Sequence, residues 1–192
     1  AIGWSMGVQV LLETTREEPG AFAGLVLISG VPGRLYTTAF STSWSAAVLP
    51  PLVRTLARVD GVTQRVVRRA ARTPALMPLA SRVGLLHHGA KHEVILDIFQ
   101  RLTNNDVCLF LHTMQHLHEH DAYDVLADLA APALIVAATE DRFVPMETLH
   151  KVRDALPDAE LALVPGGTHW AVLERPEVIN RRLAAWLNRR QI

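Results

Sequence analysis

Ala1-Ile2-Gly3-Trp4-Ser5-Met6-Gly7 reads as the end of a strand, a tight turn carrying a serine, and the start of a helix. The pattern is G-x-S-x-G, in which a sharp strand-to-helix turn holds the serine hydroxyl clear of the backbone. Gly3 and Gly7 are expected where side chains would clash, because the helix leaves so close to the strand. The helix N-terminus then offers a backbone N–H, at Met6, to a negatively charged oxygen. Only Ala1 and Ile2 precede this turn, and no initiator Met is present. The chain is therefore expected to be the C-terminal portion of a longer polypeptide.

Outward from the turn, residues 7–18 (GVQVLLETTREE) form a helix that enters buried and ends exposed, stopped by Pro19-Gly20. Residues 23–29 (AGLVLIS) are a nearly continuous apolar run of strand length, the mark of a parallel strand buried on both faces. The pattern returns at residues 133–139 (ALIVAAT) and 159–164 (AELALV), separated by a helix with Leu149, Val152 and Leu156 on one side. A last helix, about 176–189, starts on Pro176 and carries Val178, Ile179, Leu183, Trp186 and Leu187 as its packing stripe.

Residues 34–124 differ and show no convincing strand. Pro50-Pro51 reads as a break, followed by a helical stripe of Leu52, Val53, Leu56 and Val59. Residues 62–72 set Val62, Val66, Val67 and Ala70 against Arg65, Arg68, Arg69 and Arg72, and Pro74 and Pro78 punctuate the next stretch of chain. Residues 90–102 place Val94, Ile95, Ile98, Phe99 and Leu102 along one face. Asn104-Asn105-Asp106 can cap a further helix at 107–118. The expected organisation is a sheet-forming part at 1–33, a helical cap or insert at 34–124, and a second sheet-forming part at 125–192.

Alternating strands and helices make this an open α/β fold with three layers and a mostly parallel sheet. In such sheets, ligands meet the loops at the C-terminal ends of the strands. Ser5, Asp141 and His169 all lie on such loops, and right-handed connections bring them to one edge. A serine hydroxyl is a poor nucleophile at neutral pH. A histidine that takes its proton, steadied by a carboxylate on the far ring nitrogen, overcomes this. The chain order Ser, Asp, His matches one known arrangement.

GWSMG at 3–7, LAAPALIVAATEDRFVP at 129–145 and LVPGGTHWAVLERPEVINRRLAAWL at 163–187 together resemble the α/β-hydrolase superfamily, in its cap-bearing branch of serine esterase- and lipase-like enzymes. The resemblance covers nearly the whole chain apart from detail in 34–120. It implies Ser5 as nucleophile, Asp141 as acid, His169 as base and the Met6 N–H as an oxyanion donor. Val8 departs from the small residue usual after the second elbow glycine, and Ala138 stands near a position that often holds glycine. In this superfamily the elbow strand lies mid-sheet, so the preceding strands and a second oxyanion donor are expected upstream. Losing one such donor costs about 3 kcal/mol of transition-state stabilisation. Activity is thus expected of the longer parent, and little or none of these residues alone.

Trp4, Phe143, Val144 and Trp170 flank the three loop residues in sequence and are the candidates for contact with substrate. The apolar residues of the insert suit a small-molecule substrate with an apolar acyl or alkyl group. Hydrolysis of a carboxylic ester or related acyl bond leads. Alternatives with a similar triad are a carbon–carbon bond hydrolase, a thioesterase or acyltransferase, and a cofactor-free perhydrolase; another is a non-catalytic binding protein or inactive fragment. Ser5 disfavours haloalkane dehalogenase and epoxide hydrolase chemistry, which uses an aspartate there.

Composition narrows the partners. The 192 residues are 49% apolar and 20% charged, with zero formal net charge, so the chain reads as globular, with nothing global drawing it to nucleic acid or an anionic surface. No 18-residue apolar run is present, so no membrane span is expected. The single Cys108 excludes an internal disulfide and fits a reducing, cytoplasmic setting. His112 and His116 are one helical turn apart, but H-E-x-x-H is missing, so no metal is expected there and no cofactor elsewhere. His116 or His120 is a candidate to reach the cleft from the base of the insert. The arginines of 54–72 read as a solvated helix face.

Overall fold

The computed structural model describes residues 1–39, 43–58, 60–73, 75–87, 89–90 and 92–192, with the backbone alone for 43, 44, 60 and 71. Val59, Pro74 and His88 lie outside the described residues.

Four parallel strands, β1 (Ile2–Trp4), β2 (Leu25–Ile28), β3 (Ala133–Ala138) and β4 (Ala159–Val164), pair in sequence order. Gly3 stands opposite Leu27, Leu27 opposite Ile135, and Ile135 opposite Leu161. Every residue of β2 and β3 is buried, as the apolar runs predict. The period of two divides the sheet cleanly. Leu25, Leu27, Ala133, Ile135 and Ala137 face α1 (Met6–Glu17) and α8 (Met146–Ala155), meeting Val8, Leu12, Leu149, Val152 and Leu156. Val26, Ile28, Leu134, Val136, Ala138 and Val164 face α10 (Pro176–Arg190), through Ile179 and Trp186. Burying a side chain of this size contributes about 1.5–3 kcal/mol, so the two faces hold most of the apolar stabilisation of the sheet.

Between β2 and β3 run α2 (Leu35–Thr38), α3 (Ser43–Arg58), α4 (Asp60–Ala71), α5 (Leu76–Arg82), α6 (His92–Asn104) and α7 (Val107–Glu119). The chain leaves and re-enters the sheet layer side by side. Gly33 and Asp121 form an antiparallel bridge, the Arg34 N–H donates to the His120 carbonyl at 3.1 Å, and the Ala122 N–H donates to the Pro32 carbonyl at 3.1 Å. A Cβ at Gly33 would lie 2.3 Å from the His120 carbonyl oxygen, so the stems cross only through a glycine.

Four expectations about this region need correction. Pro50-Pro51 does not break the chain, and both prolines lie inside α3. The helix packs along α7, and its entry is fixed by the buried Ser45 hydroxyl on the Tyr36 and Ala39 carbonyls, so tertiary contacts outweigh the two missing N–H groups. The valine stripe of α4 is turned out, with Val62 58% and Val66 61% exposed. Polar anchors set the rotation of that helix. Thr63 donates to the Leu56 carbonyl, Gln64 bridges the Asn105 carbonyl and the Val107 N–H, and Arg68 donates to the carbonyls of Thr103, Asn104 and Asn105. Arg68 is therefore not only a solvated side chain: half-buried, it satisfies the free carbonyls at the end of α6. On α6 itself the expected face is only partly buried: Ile95 is fully enclosed while Val94 and Leu102 are exposed. Asp106 caps α7 as expected, taking the N–H groups of Cys108 and Leu109.

Among the described residues no helix is long and apolar enough to cross a membrane.

Candidate active site

The turn after β1 is built by close approach. Ser5 has φ 54° and ψ −115°, a conformation that costs a non-glycine residue energy and must be imposed by its surroundings. Its N–H donates to the Ile28 carbonyl at 2.9 Å and its carbonyl accepts from the Val8 N–H at 3.1 Å. A Cβ on Gly3 would sit 2.5 Å from the Gly7 carbonyl oxygen, so here glycine is required. Gly7 differs from expectation, since a Cβ there would meet nothing within 4 Å. What Gly3 needs from Gly7 is its backbone. The other glycine that lets the turn close is Gly30, where a Cβ would fall 2.5 Å from the Ser5 carbonyl oxygen. Its contact is long-range, so it gave no signal in the sequence beyond ending an apolar run.

A serine at a helix N-cap usually turns its hydroxyl onto the first amides of the helix. Ser5 makes no such bond. Its Oγ lies 2.8 Å from His169 Nε2 instead. Across the ring, His169 Nδ1 lies 2.9 Å from Asp141 Oδ2. Opposite an ionised carboxylate Nδ1 carries the proton and donates it, which leaves Nε2 to accept the Ser5 hydroxyl. Asp141 Oδ1 accepts the N–H groups of Phe143 at 2.8 Å and Val144 at 3.0 Å. The Asp141 side chain is 1% exposed, so burying this charge is offset by three hydrogen bonds. Glu140, its neighbour, is exposed.

Met6 is the first residue of α1, and its N–H has no acceptor within the helix. An anion beside Ser5 would meet that donor and the positive end of the helix dipole.

The four candidate contact residues separate. The Trp4 ring lies 6.0 Å from the His169 ring, and its Nε1–H donates to the His169 carbonyl at 3.0 Å. Phe143 packs edge-on to His169 at 5.1 Å. Trp170 meets the Trp4 ring edge-on at 5.5 Å and the Phe99 ring at a tilt at 5.4 Å, joining the cluster of Met77, Leu86 and Ile95. Val144, expected beside the substrate, is 1% exposed and packs in the core with Leu149 and Val152. Its contribution to the site is the backbone N–H on Asp141, which follows from the tight turn after β3.

The histidines near 112–120 are elsewhere. His120 Nε2 lies 2.8 Å from Glu13 on α1, and His116 is 3.7 Å from Glu119 on its own helix. The Glu13 carboxyl is held below its ordinary value, chiefly by the hydrogen bond from His120 and then by Arg16. Burial pushes the His118 imidazole down. Among the described residues no group of three or more His, Cys, Asp or Glu side chains gathers as a metal ion would need.

The family model described as "Alpha/beta hydrolase family" matches residues 1–182. Over 85 residues the chain is 32% identical to the 2-hydroxy-6-oxo-6-(2'-aminophenyl)hexa-2,4-dienoic acid hydrolase of Metapseudomonas resinovorans, a match spanning 42% of this chain and 29% of that protein. Among solved structures, an esterase from Exiguobacterium antarcticum superposes with TM-score 0.70 at 15% identity, covering 97% of this chain and 65% of the esterase. A thermophilic esterase from Thermogutta terrifontis superposes with TM-score 0.67 at 17% identity, covering 100% and 65%. The chain thus spans less than two thirds of these proteins. With the turn, the sheet order and a family match that runs from the first residue through most of α10, the chain belongs to the alpha/beta hydrolase family.

Proposed function

We propose that the whole protein is a serine hydrolase acting on a carboxylic ester or related acyl bond, with Ser5 as nucleophile, His169 as base and Asp141 as acid. The observation that carries this reading is the unbroken relay from Ser5 Oγ to His169 Nε2, at 2.8 Å, and from His169 Nδ1 to Asp141 Oδ2, at 2.9 Å.

The chemistry follows from these contacts. Ser5 Oγ attacks the carbonyl carbon as His169 Nε2 takes its proton. The imidazolium is steadied by the Asp141 carboxylate, and the new oxyanion by the Met6 N–H. Collapse of the tetrahedral intermediate breaks the bond to the leaving group, which receives the proton from His169. The acyl group stays on Ser5. Water, deprotonated by His169, then attacks the acyl-enzyme. The acid is released and the Ser5 hydroxyl restored. No cofactor is needed at any step. Trp4, Phe143 and Trp170 would border the reacting group, and residues 34–124 form the cap above it. These aromatic and apolar surfaces suit a small substrate with an apolar acyl or alkyl group. A cytoplasmic setting accords with the single cysteine.

The test is turnover of p-nitrophenyl esters of increasing acyl length by the whole protein. A burst of nitrophenol stoichiometric with enzyme, followed by slower release, marks the acyl-enzyme. Absence of both burst and turnover in a folded protein counts against the proposal. The 32%-identical stretch shared with the hydrolase of a 6-oxo-dienoic acid favours a second reading, cleavage of a carbon–carbon bond next to a ketone by the same three residues. Turnover of such a ketone without ester turnover would select it.

A further inference from the structure

We propose that Glu174 is a positioning residue that fastens the loop carrying His169 and ties it to the loop after α5. The inference rests on the hydrolase reading for its effect on activity, and on geometry alone for the contact itself.

The His169 loop opens with Gly166, at φ +66°, and Gly167, two residues that offer little stiffness of their own. Yet a base must be held to within about 1 Å of its working position, since larger errors cost on the order of a hundredfold in rate. Stiffness enters at Thr168, which is 2% exposed. Glu174 Oε2 accepts the Thr168 N–H at 2.9 Å, and Oε1 accepts the Thr168 hydroxyl at 2.8 Å. Glu174 is itself fixed by the short helix α9 (Ala171–Glu174), through its N–H on the Trp170 carbonyl at 3.0 Å. The loop therefore closes on itself around His169, whose carbonyl is pinned from the other side by Trp4.

The same carboxylate holds a third donor. Oε1 also accepts the backbone N–H of His87, at 2.9 Å, from the loop between α5 and α6. One oxygen is thus shared by the residue preceding the base and by a residue of the insert more than 80 positions away. A carboxylate is an acceptor only, with room for about four hydrogen bonds, and suits three converging donors. An amide does not, because its NH2 would face an N–H. Movement of the insert at His87 is felt at Thr168 through a single atom. Arg142, next to Asp141, follows the same logic: its guanidinium packs on Gly84, where a Cβ would lie 2.6 Å from Nε. Both loops that serve the imidazole are in contact with residues 84–87.

The experiment uses the whole protein with Glu174→Gln, Glu174→Asp and Ser5→Ala. Two quantities are measured: amide hydrogen exchange at Thr168 and His87, and the rate of fluorophosphonate labelling of Ser5. In Glu174→Gln, exchange at Thr168 and His87 should rise together by about tenfold or more, and labelling should slow by roughly ten- to hundredfold. Glu174→Asp keeps the charge and should recover part of the rate. A loss of folding alone would lower the amplitude of labelling and leave the rate constant of the folded fraction in place. Unchanged exchange at either amide, or a labelling rate equal to that of the unsubstituted protein, would overturn the proposal. If the unsubstituted protein is not labelled at all, the hydrolase reading fails, and exchange at the two amides still decides the contact.

Discussion

Asp141 holds His169 with one oxygen and is itself held with the other. Oδ2 lies 2.9 Å from Nδ1, while Oδ1 takes the backbone N–H groups of Phe143 and Val144. The carboxylate therefore cannot swing away without breaking three bonds. Asp141→Asn keeps the shape but can present an NH2 to Nδ1, which favours the tautomer with its proton on Nε2, facing Ser5. Ester turnover should fall by about 10⁴-fold with little loss of stability. Steady-state hydrolysis beside a thermal melt would check this, and a fall under tenfold would deny Asp141 its role.

Gly3 and Gly7 look equivalent in the motif and are not equivalent in the fold. Gly3→Ala forces a Cβ against the Gly7 carbonyl and should destabilise by about 1–3 kcal/mol, with loss of Ser5 reactivity. Gly7→Ala enters open space in a helix and should leave stability unchanged or raise it by up to about 1 kcal/mol. Paired denaturant melts of the two variants separate these outcomes.

Asp106 closes the start of α7 with two charge-assisted bonds. Asp106→Ala should cost about 1 kcal/mol and Asp106→Asn much less. Because α7 packs along α3, the loss should appear as earlier unfolding of the insert, read by exchange on both helices.

The His118 imidazole is held below its ordinary value by burial and the Arg34 charge, against the opposing pull of Glu119 and the Arg34 backbone. Its Nδ1 accepts the Tyr36 N–H, a bond that protonation would destroy. The folded form binds fewer protons here than the unfolded chain, whose histidine titrates near pH 6.5. This contribution is intact above about pH 6.5 and is lost as pH falls below it. His118→Asn keeps an acceptor and removes the titration. Between about pH 7 and 5, it should flatten the decline of melting temperature. A slope equal to that of the unsubstituted protein would deny His118 that part.

The sheet was legible because its signal is local. The runs at 25–28 and 133–138 are buried on both faces and read as strands by composition alone. Asp141, His169 and Ser5 were legible because the turn chemistry around each is written in adjacent glycines and prolines. The helix rotations of the insert were not. The orientation of α4 is decided by Gln64 and Arg68 reaching residues 103–107, some 40 positions on, and an arginine looks the same in sequence whether it meets water or a helix end. Val144 is ambiguous in sequence for a related reason, since its backbone N–H bonds Asp141 while its side chain packs in the core. Glu174 and Gly30 carry no local signal, because their partners, Thr168 and His87 for the first and Ser5 for the second, are assembled only by folding.

The serine-hydrolase proposal requires Ser5 to be an activated nucleophile. The most direct measurement is fluorophosphonate treatment of the whole protein, with the adduct located by mass spectrometry. One adduct is expected, on Ser5, that disappears in Ser5→Ala and falls steeply in His169→Ala. A folded protein that leaves Ser5 unmodified, or that is modified equally well without His169, would contradict it.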